Sequence, residues 1–198
     1  MRVGVLALQG AFIEHIEVLS RLGVEALEVR LPGGLAGLGG LIIPGGESTT
    51  IGGLATRYGF IEELKGLAEG GFPIWGTCAG MILLAKEIEG YSQPLVGAMD
   101  IVVERNAFGR QLDSFQVELP IPVLDGVASE VDTGRPFPGV FIRAPAIKSV
   151  GKGVEVLAAL EGGTIVAARQ ENLLATAFHP ELTPDSRFHR YFLRMVGG

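Results

Sequence analysis

The sequence has one cysteine and three histidines among its 198 residues. One cysteine cannot form an internal disulfide, and it cannot supply the thiolates of a multi-cysteine zinc or iron–sulfur site. Glycines are frequent, but the glycine-rich segment 32–41 lacks the spacings of nucleotide-binding loops. We therefore predict no metal and no cofactor. Cys78 is either a small buried apolar residue or a chemically active group.

Basic residues and long apolar runs are also scarce. The 16 Lys and Arg residues are outnumbered by 22 Asp and Glu, and the net charge of −6 argues against nucleic-acid binding. The most apolar stretch, residues 35–46, is broken by glycines and Pro44 and is shorter than the ~18 residues of a membrane span. The apolar run before Gln9 is too short for a secretory signal. We expect a cytoplasmic protein that binds neither nucleic acid nor a membrane.

Hydrophobic residues make up 47% of the chain and charged residues 19%, which is typical of a well-packed globular protein. We expect residues 1–198 to form a single domain. Strand-like and helical patterns alternate in the first half, which predicts a mostly parallel central sheet flanked by helices. The second half is mainly strand-like and predicts an antiparallel extension. The predicted strands are 2–8, 24–29, 41–43, 73–75 (leading into the turn 76–80), 98–104, 114–119, 138–142, 154–160, 164–169 and 173–178, and the predicted helices are 11–22, 60–68, 81–88 and 184–196.

Cys78 lies in the sequence Gly-Thr-Cys-Ala-Gly, between an apolar strand and a helical segment. Small flanking residues allow the sharp strand-to-helix turn that exposes a nucleophile, and the start of the helix favours a thiolate. A buried cysteine in a tight turn is the alternative. The G-x-C-x-G pattern at this position favours the nucleophile.

A nucleophilic thiol needs a base, and His179 is the best placed of the three histidines. It follows an apolar strand, at the edge where open α/β sheets place their sites, whereas His15 and His189 fall in the first and last helices. In His-Pro-Glu, Glu181 is close enough to orient the imidazole. A surface histidine beside a surface glutamate is the alternative interpretation.

Acyl transfer also needs donors for an oxyanion. The N–H of Ala79 is one candidate, and the loop Pro44–Ser48 after the strand 41–43 is a source of the second. Taken alone, the Pro-Gly-Gly segment is equally well explained as a tight turn.

Six segments together resemble one known family. They are LALQGAF near the N-terminus, PGGEST at 44–49, GTCAGMILL at 76–84, RNAFGRQ at 105–111, FIRAP at 141–145 and FHPEL at 178–182. The sequence is similar to the glutaminase subunits of pyridoxal 5′-phosphate synthase, within the class I (triad) glutamine amidotransferases. The resemblance implies their flavodoxin-like three-layer fold. It covers the chain from end to end, except that 127–139 matches no motif.

The resemblance implies that Cys78 attacks the side-chain amide of L-glutamine, that His179 transfers the proton to ammonia, and that Glu181 orients His179. Gly46, Glu47 and Ala79 would form the oxyanion hole. The glutamine-binding residues that it implies are Gly46, Glu47, Ser48, Arg105, Ile142 and Arg143.

The family's partner is a synthase subunit that uses the ammonia to build pyridoxal 5′-phosphate (vitamin B6), in assemblies of up to twelve plus twelve chains. Because Gly46 allows the next peptide to rotate, we predict that the isolated chain is a poor glutaminase until that partner docks, in part near Gln9 and Gly10. A free-standing cysteine hydrolase or peptidase on the same fold is the rival enzyme. A non-enzymatic binding module is less consistent with three intact triad residues.

Overall fold

A computed structural model describes residues 1–109 and 114–198. Its strands are β1 (Arg2–Leu6), β2 (Glu25–Val29), β3 (Gly40–Ile43), β4 (Ile74–Thr77), β5 (Ala85–Ile88), β6 (Met99–Glu104), β7 (Ser114–Leu119), β8 (Phe137–Ile142), β9 (Ala146–Val150), β10 (Glu155–Ala159), β11 (Ile165–Gln170) and β12 (Leu173–Thr176). The α-helices are α1 (Phe12–Arg21), α2 (Ser48–Arg57), α3 (Phe60–Glu69), α4 (Ala79–Leu84) and α5 (Arg187–Gly197). Short 3-10 helices span Pro32–Leu35, Pro122–Val127 and Pro180–Leu182.

The main sheet has the strand order β2-β1-β3-β4-β12-β11-β9-β6-β5, and β10 pairs with β11 beside this path. Strands β2, β1, β3, β4 and β12 are parallel to their neighbours in this series. Antiparallel pairing begins at β11, and β7 and β8 form a separate two-stranded antiparallel sheet. The predicted fold class, a mostly parallel sheet flanked by helices with an antiparallel extension, is confirmed.

The parallel part of the sheet determines where the site forms. Strands β1, β3, β4 and β12 run in the same direction, so the segments that follow them meet at one edge. Those segments contain Gln9, the loop Pro44–Glu47, Cys78 and His179. The shared direction of these four strands thereby brings together residues that are far apart in the chain.

The predicted helix over residues 81–88 is wrong in its second half. Helix α4 ends at Leu84, and residues 85–88 form β5, parallel to β6. Ala85 and Ile88 are buried while Lys86 is exposed and pairs with Asp100 of β6 at 2.9 Å. Pairing with a neighbouring strand overrides the helical pattern of the local sequence.

Helix α2 and strand β9 were not predicted from the sequence, and the predicted start of helix α5 was too early. Helix α2 was not predicted because its two adjacent glycines have poor helix propensity. Strand β9 was not predicted either, although it joins β6 to β11 in the antiparallel part. Helix α5 begins at Arg187 and not at Pro184, since Thr183 and Asp185 hydrogen-bond to each other and Asp185 accepts from the Arg187 N–H.

None of the helices in ranges 1–109 and 114–198 is both long and apolar enough to cross a membrane. In the same ranges, no group of three or more His, Cys, Asp or Glu side chains is arranged to hold a metal ion.

Candidate active site

Cys78 forms the turn between β4 and α4 in a strained conformation. Its backbone has φ 49° and ψ −104°, which is rare for a residue with a side chain. A Cβ on Gly76 would collide with the backbone of Gly80, and a Cβ on Gly80 would collide with the carbonyl of Ile43. Both glycines are therefore required by close backbone approach, as in a nucleophile elbow. The thiol is 7% exposed, at the floor of a cleft.

His179 and Glu181 lie next to this turn. The Nδ1 atom of His179 is 2.7 Å from Oε1 of Glu181, which leaves the other ring nitrogen available to the neighbouring Cys78 side chain. The two side chains are 9% and 0% exposed. His179 N–H also donates to the Val140 carbonyl at 2.8 Å, so the histidine's backbone is fixed as well as its ring. Cys78, His179 and Glu181 are therefore neighbours, with His179 between the other two.

The electrostatics of these three residues favour a charged imidazole beside a charged carboxylate. Burial alone would lower the pKa of His179, but its contacts with Cys78 and Glu181 outweigh burial and raise that pKa to about 10. For Glu181, burial opposes ionisation, but the neighbouring His15 and His179 keep its pKa below the ordinary value. An imidazolium and a carboxylate in this arrangement suit a proton-transfer site.

The loop Pro44–Glu47 forms another wall of the cleft. Gly45 packs directly on the His179 ring, where a Cβ would overlap the imidazole. The Glu47 side chain caps α2 by accepting from the N–H groups of Thr49 at 3.2 Å and Thr50 at 2.7 Å. The hydrogen bonds with these two threonines, the Thr49 hydroxyl first among them, lower the pKa of Glu47 to about 2. The carboxylate therefore fixes the start of α2.

The N–H of Glu47 has a different partner. It donates to Oε1 of Gln9 at 2.7 Å. Gly46, the preceding residue, is exposed and packs closely against the Gln9 amide. The predicted oxyanion donor is thus engaged with a side chain from the segment after β1.

The cleft has a volume of about 620 Å³ and contains most of the site residues predicted from sequence. Glu181 is the exception, because it is buried behind His179. The lining residues that were predicted are Gly46, Glu47, Ser48, Cys78, Ala79, Arg105, Ile142, Arg143 and His179.

The polar residues at the cleft mouth are held by neighbours. Arg105 lies over the Tyr91 ring at 4.4 Å and places a guanidinium nitrogen 3.6 Å from Oε1 of Glu47. The Ser48 hydroxyl donates to Oε1 of Gln93 at 3.1 Å. Arg143 has the positive φ of 43°. Of the motif 105–111, residues 110 and 111 lie outside the described ranges.

Sequence reasoning missed two groups of neighbours. Tyr91 and Gln93, which hold Arg105 and Ser48, come from a loop with no motif signal. His15 and His189 were assigned to helices and set aside, yet both are buried behind Glu181. A histidine on the buried face of an amphipathic helix was the signal available for each.

Comparison with known proteins places this geometry in a family. Residues 5–197 match the SNO glutamine amidotransferase family. The chain is 62% identical over 196 residues to the pyridoxal 5′-phosphate synthase subunit PdxT of Herpetosiphon aurantiacus, covering 98% of this chain and 99% of the relative. It is 58% identical over 198 residues to the PdxT subunit of Dehalococcoides mccartyi strain CBDB1, covering 99% and 97%.

A solved structure described as a glutamine amidotransferase superposes with a TM-score of 0.90 at 54% identity, covering 99% of each chain. This agreement extends over the parallel strands, the antiparallel strands and the helices that surround Cys78. Together with the match over residues 5–197, it shows that the chain belongs to the SNO glutamine amidotransferase family.

Proposed function

We propose that this chain is the glutaminase subunit of a pyridoxal 5′-phosphate synthase. It hydrolyses L-glutamine to L-glutamate and ammonia, and it passes the ammonia to a synthase partner. The observation that carries the proposal is that Cys78, at a strained elbow, lines the same cleft as His179, whose ring is hydrogen-bonded to Glu181. Its relatives, named as PdxT subunits at 58–62% identity, support the choice of glutamine and of the partner.

In the first half-reaction, the sulfur of Cys78 attacks the carboxamide carbon of glutamine and the carbonyl oxygen becomes an oxyanion. His179, which lies beside the thiol, delivers its proton to the departing nitrogen. Ammonia leaves and a thioester with Cys78 remains. A water molecule, activated by the now neutral His179, then attacks the thioester and releases glutamate and the thiol. Glu181 keeps the imidazole oriented and supports its positive charge.

The oxyanion would be stabilised by two main-chain donors. Ala79 begins α4, and the first N–H groups of a helix have no partner within it, so its N–H is available to the cleft. The second donor is the N–H of the Gly46–Glu47 peptide. Because that N–H donates to Gln9 in this structure, a peptide rotation must precede its use. The glycine before it lowers the steric cost of such a rotation.

The free amino-acid end of glutamine would lie among the remaining residues of the cleft. Arg105 and Arg143 carry positive charge at its mouth, and a guanidinium can bind an α-carboxylate through paired hydrogen bonds. Ser48 offers a hydroxyl from the start of α2, and Ile142 offers an apolar wall. We assign these four residues, with Gly46 and Glu47, to substrate binding.

The chain works as one glutamine amidotransferase domain, residues 1–198, in a cytoplasmic hetero-oligomer with up to twelve chains of each subunit. Gln9 and Gly10 lie at the edge of the sheet that holds Cys78, and Gly10 lines the cleft, so a docked partner can reach the Glu47 peptide from there.

The defining experiment replaces the nucleophile. Cys78→Ala should reduce ammonia release from glutamine to background while leaving the thermal unfolding midpoint close to the parent's, because it removes one small side chain. A glutamine-analogue electrophile should modify the parent at Cys78, which is the chain's one cysteine, and leave the variant unmodified. Measurement of glutamine and of a peptide panel in parallel distinguishes a glutaminase from a peptidase. Full glutaminase activity in Cys78→Ala would exclude the proposal.

A further inference from the structure

A buried group of polar side chains lies behind Glu181, away from the cleft. It consists of His15 of α1, Thr77 of β4 and His189 of α5, all 0% exposed. None of them has a part in the reaction described above. Burying polar side chains among apolar ones is costly unless they hydrogen-bond, so their joint presence next to a catalytic carboxylate calls for an explanation.

The contacts in this group connect it to the triad. His15 Nδ1 is 3.0 Å from His189 Nε2. On the other side of the His15 ring, Nε2 is 3.3 Å from the Thr77 hydroxyl and 3.4 Å from Oε2 of Glu181. Trp75 packs edge-on against both imidazoles, with centroids 5.6 Å and 5.0 Å away, which fixes the planes of the two rings.

Glu181 has unequal partners for its two carboxylate oxygens. Oε1 is 2.7 Å from His179 Nδ1, whereas Oε2 is buried and has no hydrogen bond within residues 1–109 and 114–198. The His15 nitrogen at 3.4 Å is long and imperfectly aligned for one.

The proton positions follow from the charges. Burial lowers the pKa of His15 and lowers that of His189 well below the ordinary value, so both rings are neutral at neutral pH. A carboxylate needs a donor, which places the His15 proton on Nε2 and makes Nδ1 an acceptor. His189 must then donate from Nε2, and its Nδ1, which has no hydrogen bond among the described residues, carries a lone pair and no proton.

We infer that His15 is a positioning residue for the glutaminase reaction: its Nε2–H, held in that tautomer by His189, is shared between Thr77 and Oε2 of Glu181 and fixes the carboxylate that orients His179. The inference rests on the proposed triad. A line of polar contacts then runs from His189 through His15 to the accepting carboxylate of Glu181, and from there through His179 to Cys78. When His179 takes its proton, the second carboxylate oxygen already has a donor in place.

Removing the His15 donor should move the pH profile of the reaction in one direction. The buried carboxylate would be less well stabilised as an anion, so the coupled Glu181–His179 pair would bind its proton more tightly. The pH profile of kcat/KM should therefore move to higher pH. Five other groups influence the same profile: Glu14, His179 and Cys78 near the cleft, and His189 with Arg21 behind it. All of them are unchanged in the variants below.

Two substitutions of similar polarity distinguish a positioning role of His15 from a role in packing alone. In His15→Gln, the amide nitrogen takes the place of Nε2 and reaches Glu181. In His15→Asn, the shorter side chain takes the place of Nδ1, so it reaches His189 and not Glu181. We expect His15→Asn to lose on the order of 10-fold in kcat/KM, as for a lost hydrogen bond to a charged group, and to shift its pH profile upward. His15→Gln should retain most of the rate and the parent's pH profile.

Alkylation of Cys78 as a function of pH provides the same comparison without turnover, and its profile should differ from the parent's only in His15→Asn. If both variants lose activity equally with no shift, His15 has a packing role and the inference fails. It fails equally if His15→Asn keeps the parent's rate and profile. Inactivity of the parent toward glutamine, or full activity of Cys78→Ala, would instead overturn the proposed function.

Nitrogen NMR of the histidine rings tests the parent protein even if a variant does not fold. The chain has three histidines, so the spectrum contains three rings to assign. His15 and His189 should both remain neutral with the proton on Nε2 across the pH range of activity. A charged His15, or one that carries its proton on Nδ1 alone, could not donate to Glu181 as described and would overturn the inference.

Discussion

The two walls around Cys78 are held in opposite ways. The front wall, Gln9 with the loop Pro44–Ser48, includes two exposed residues, Gly46 and Glu47, and its key peptide is held by one hydrogen bond to a half-buried side chain. The back wall, Glu181 with His15 and His189, is at most 5% exposed and has neighbours from three separate elements. The front wall can therefore change conformation while the fold stays intact. The back wall cannot move without breaking several buried contacts.

This difference separates two requirements of the reaction that we propose. Proton transfer needs an imidazole in one orientation at all times, and burial with several contacts supplies that. Oxyanion stabilisation is needed only when the ammonia has an acceptor, and a peptide that can rotate makes it conditional. Damage to the back wall should therefore lower activity with and without a partner, while the front wall should determine how the two conditions differ.

The largest effect that tests this comparison is expected at His179. His179→Asn removes the group that we propose protonates the departing nitrogen and activates the Cys78 thiol. We expect a loss of at least about 10⁴-fold in kcat, nearly as severe as for Cys78→Ala. Steady-state ammonia release measures it, with and without the synthase subunit. A variant whose activity returned on adding the partner would contradict the assignment of His179 to the reaction itself.

A smaller effect is expected at Glu181. Glu181→Gln keeps the size of the side chain but removes the charge that supports the imidazolium, and we expect a loss on the order of 10³-fold. More activity should remain than in His179→Asn, because orientation contributes less than proton transfer. The control is Glu17→Gln, an exposed carboxylate on α1, which should behave as the parent does. An unaffected Glu181→Gln, with a different carboxylate proving essential, would remove Glu181 from the site.

These residues also show how far the sequence leads. Local sequence was enough to predict Cys78, His179 and Glu181. Cys78 lies in the five-residue segment Gly-Thr-Cys-Ala-Gly, and the other two lie in the three-residue segment His-Pro-Glu. The parallel sheet was predicted because alternating strands and helices leave few other arrangements. The resemblance to a known family supplied the roles of Arg105 and Arg143, which no local pattern would have singled out.

The features that were not predicted depend on contacts across the fold. His15 and Glu181 are 166 positions apart, and their contact exists only because α1 packs near the segment after β12. The segment 127–139, which matched no motif, is tied down by the buried Arg187, whose guanidinium donates to the carbonyls of Asp132, Arg135 and Pro136. Residues 85–88 became a strand because β6 was beside them.

From the hydrogen bond in the front wall we predict that the isolated chain is a poor glutaminase. With the N–H of Glu47 bonded to Gln9, the oxyanion would have one donor, and one missing donor costs about 100- to 1000-fold in rate. A saturating concentration of the synthase subunit should restore the lost rate, because it would stabilise the rotated Gly46–Glu47 peptide. Ammonia release is measured for the purified chain alone and with the partner, and binding is confirmed independently. Equal rates in the two conditions would mean that the resting geometry already suffices.

The smallest expected effect concerns stability at the end of the front wall, where Glu47 caps α2. Its folded-state pKa of about 2 lies below the ordinary value of 4.5, so the cap stabilises the fold at neutral pH and is lost as the pH falls from about 4.5 toward 2. Glu47→Ala should lower the free energy of unfolding by about 1 kcal/mol at neutral pH, as is usual for a lost helix cap. Urea unfolding of parent and variant at a series of pH values should show this difference shrink as the solution becomes acidic. Glu17→Ala, which removes an exposed carboxylate within α1, is the control and should show no such trend. A difference that stayed constant down to the lowest pH would mean that the Glu47 carboxylate contributes packing and not a charged cap, and the start of α2 would then be set by the loop alone.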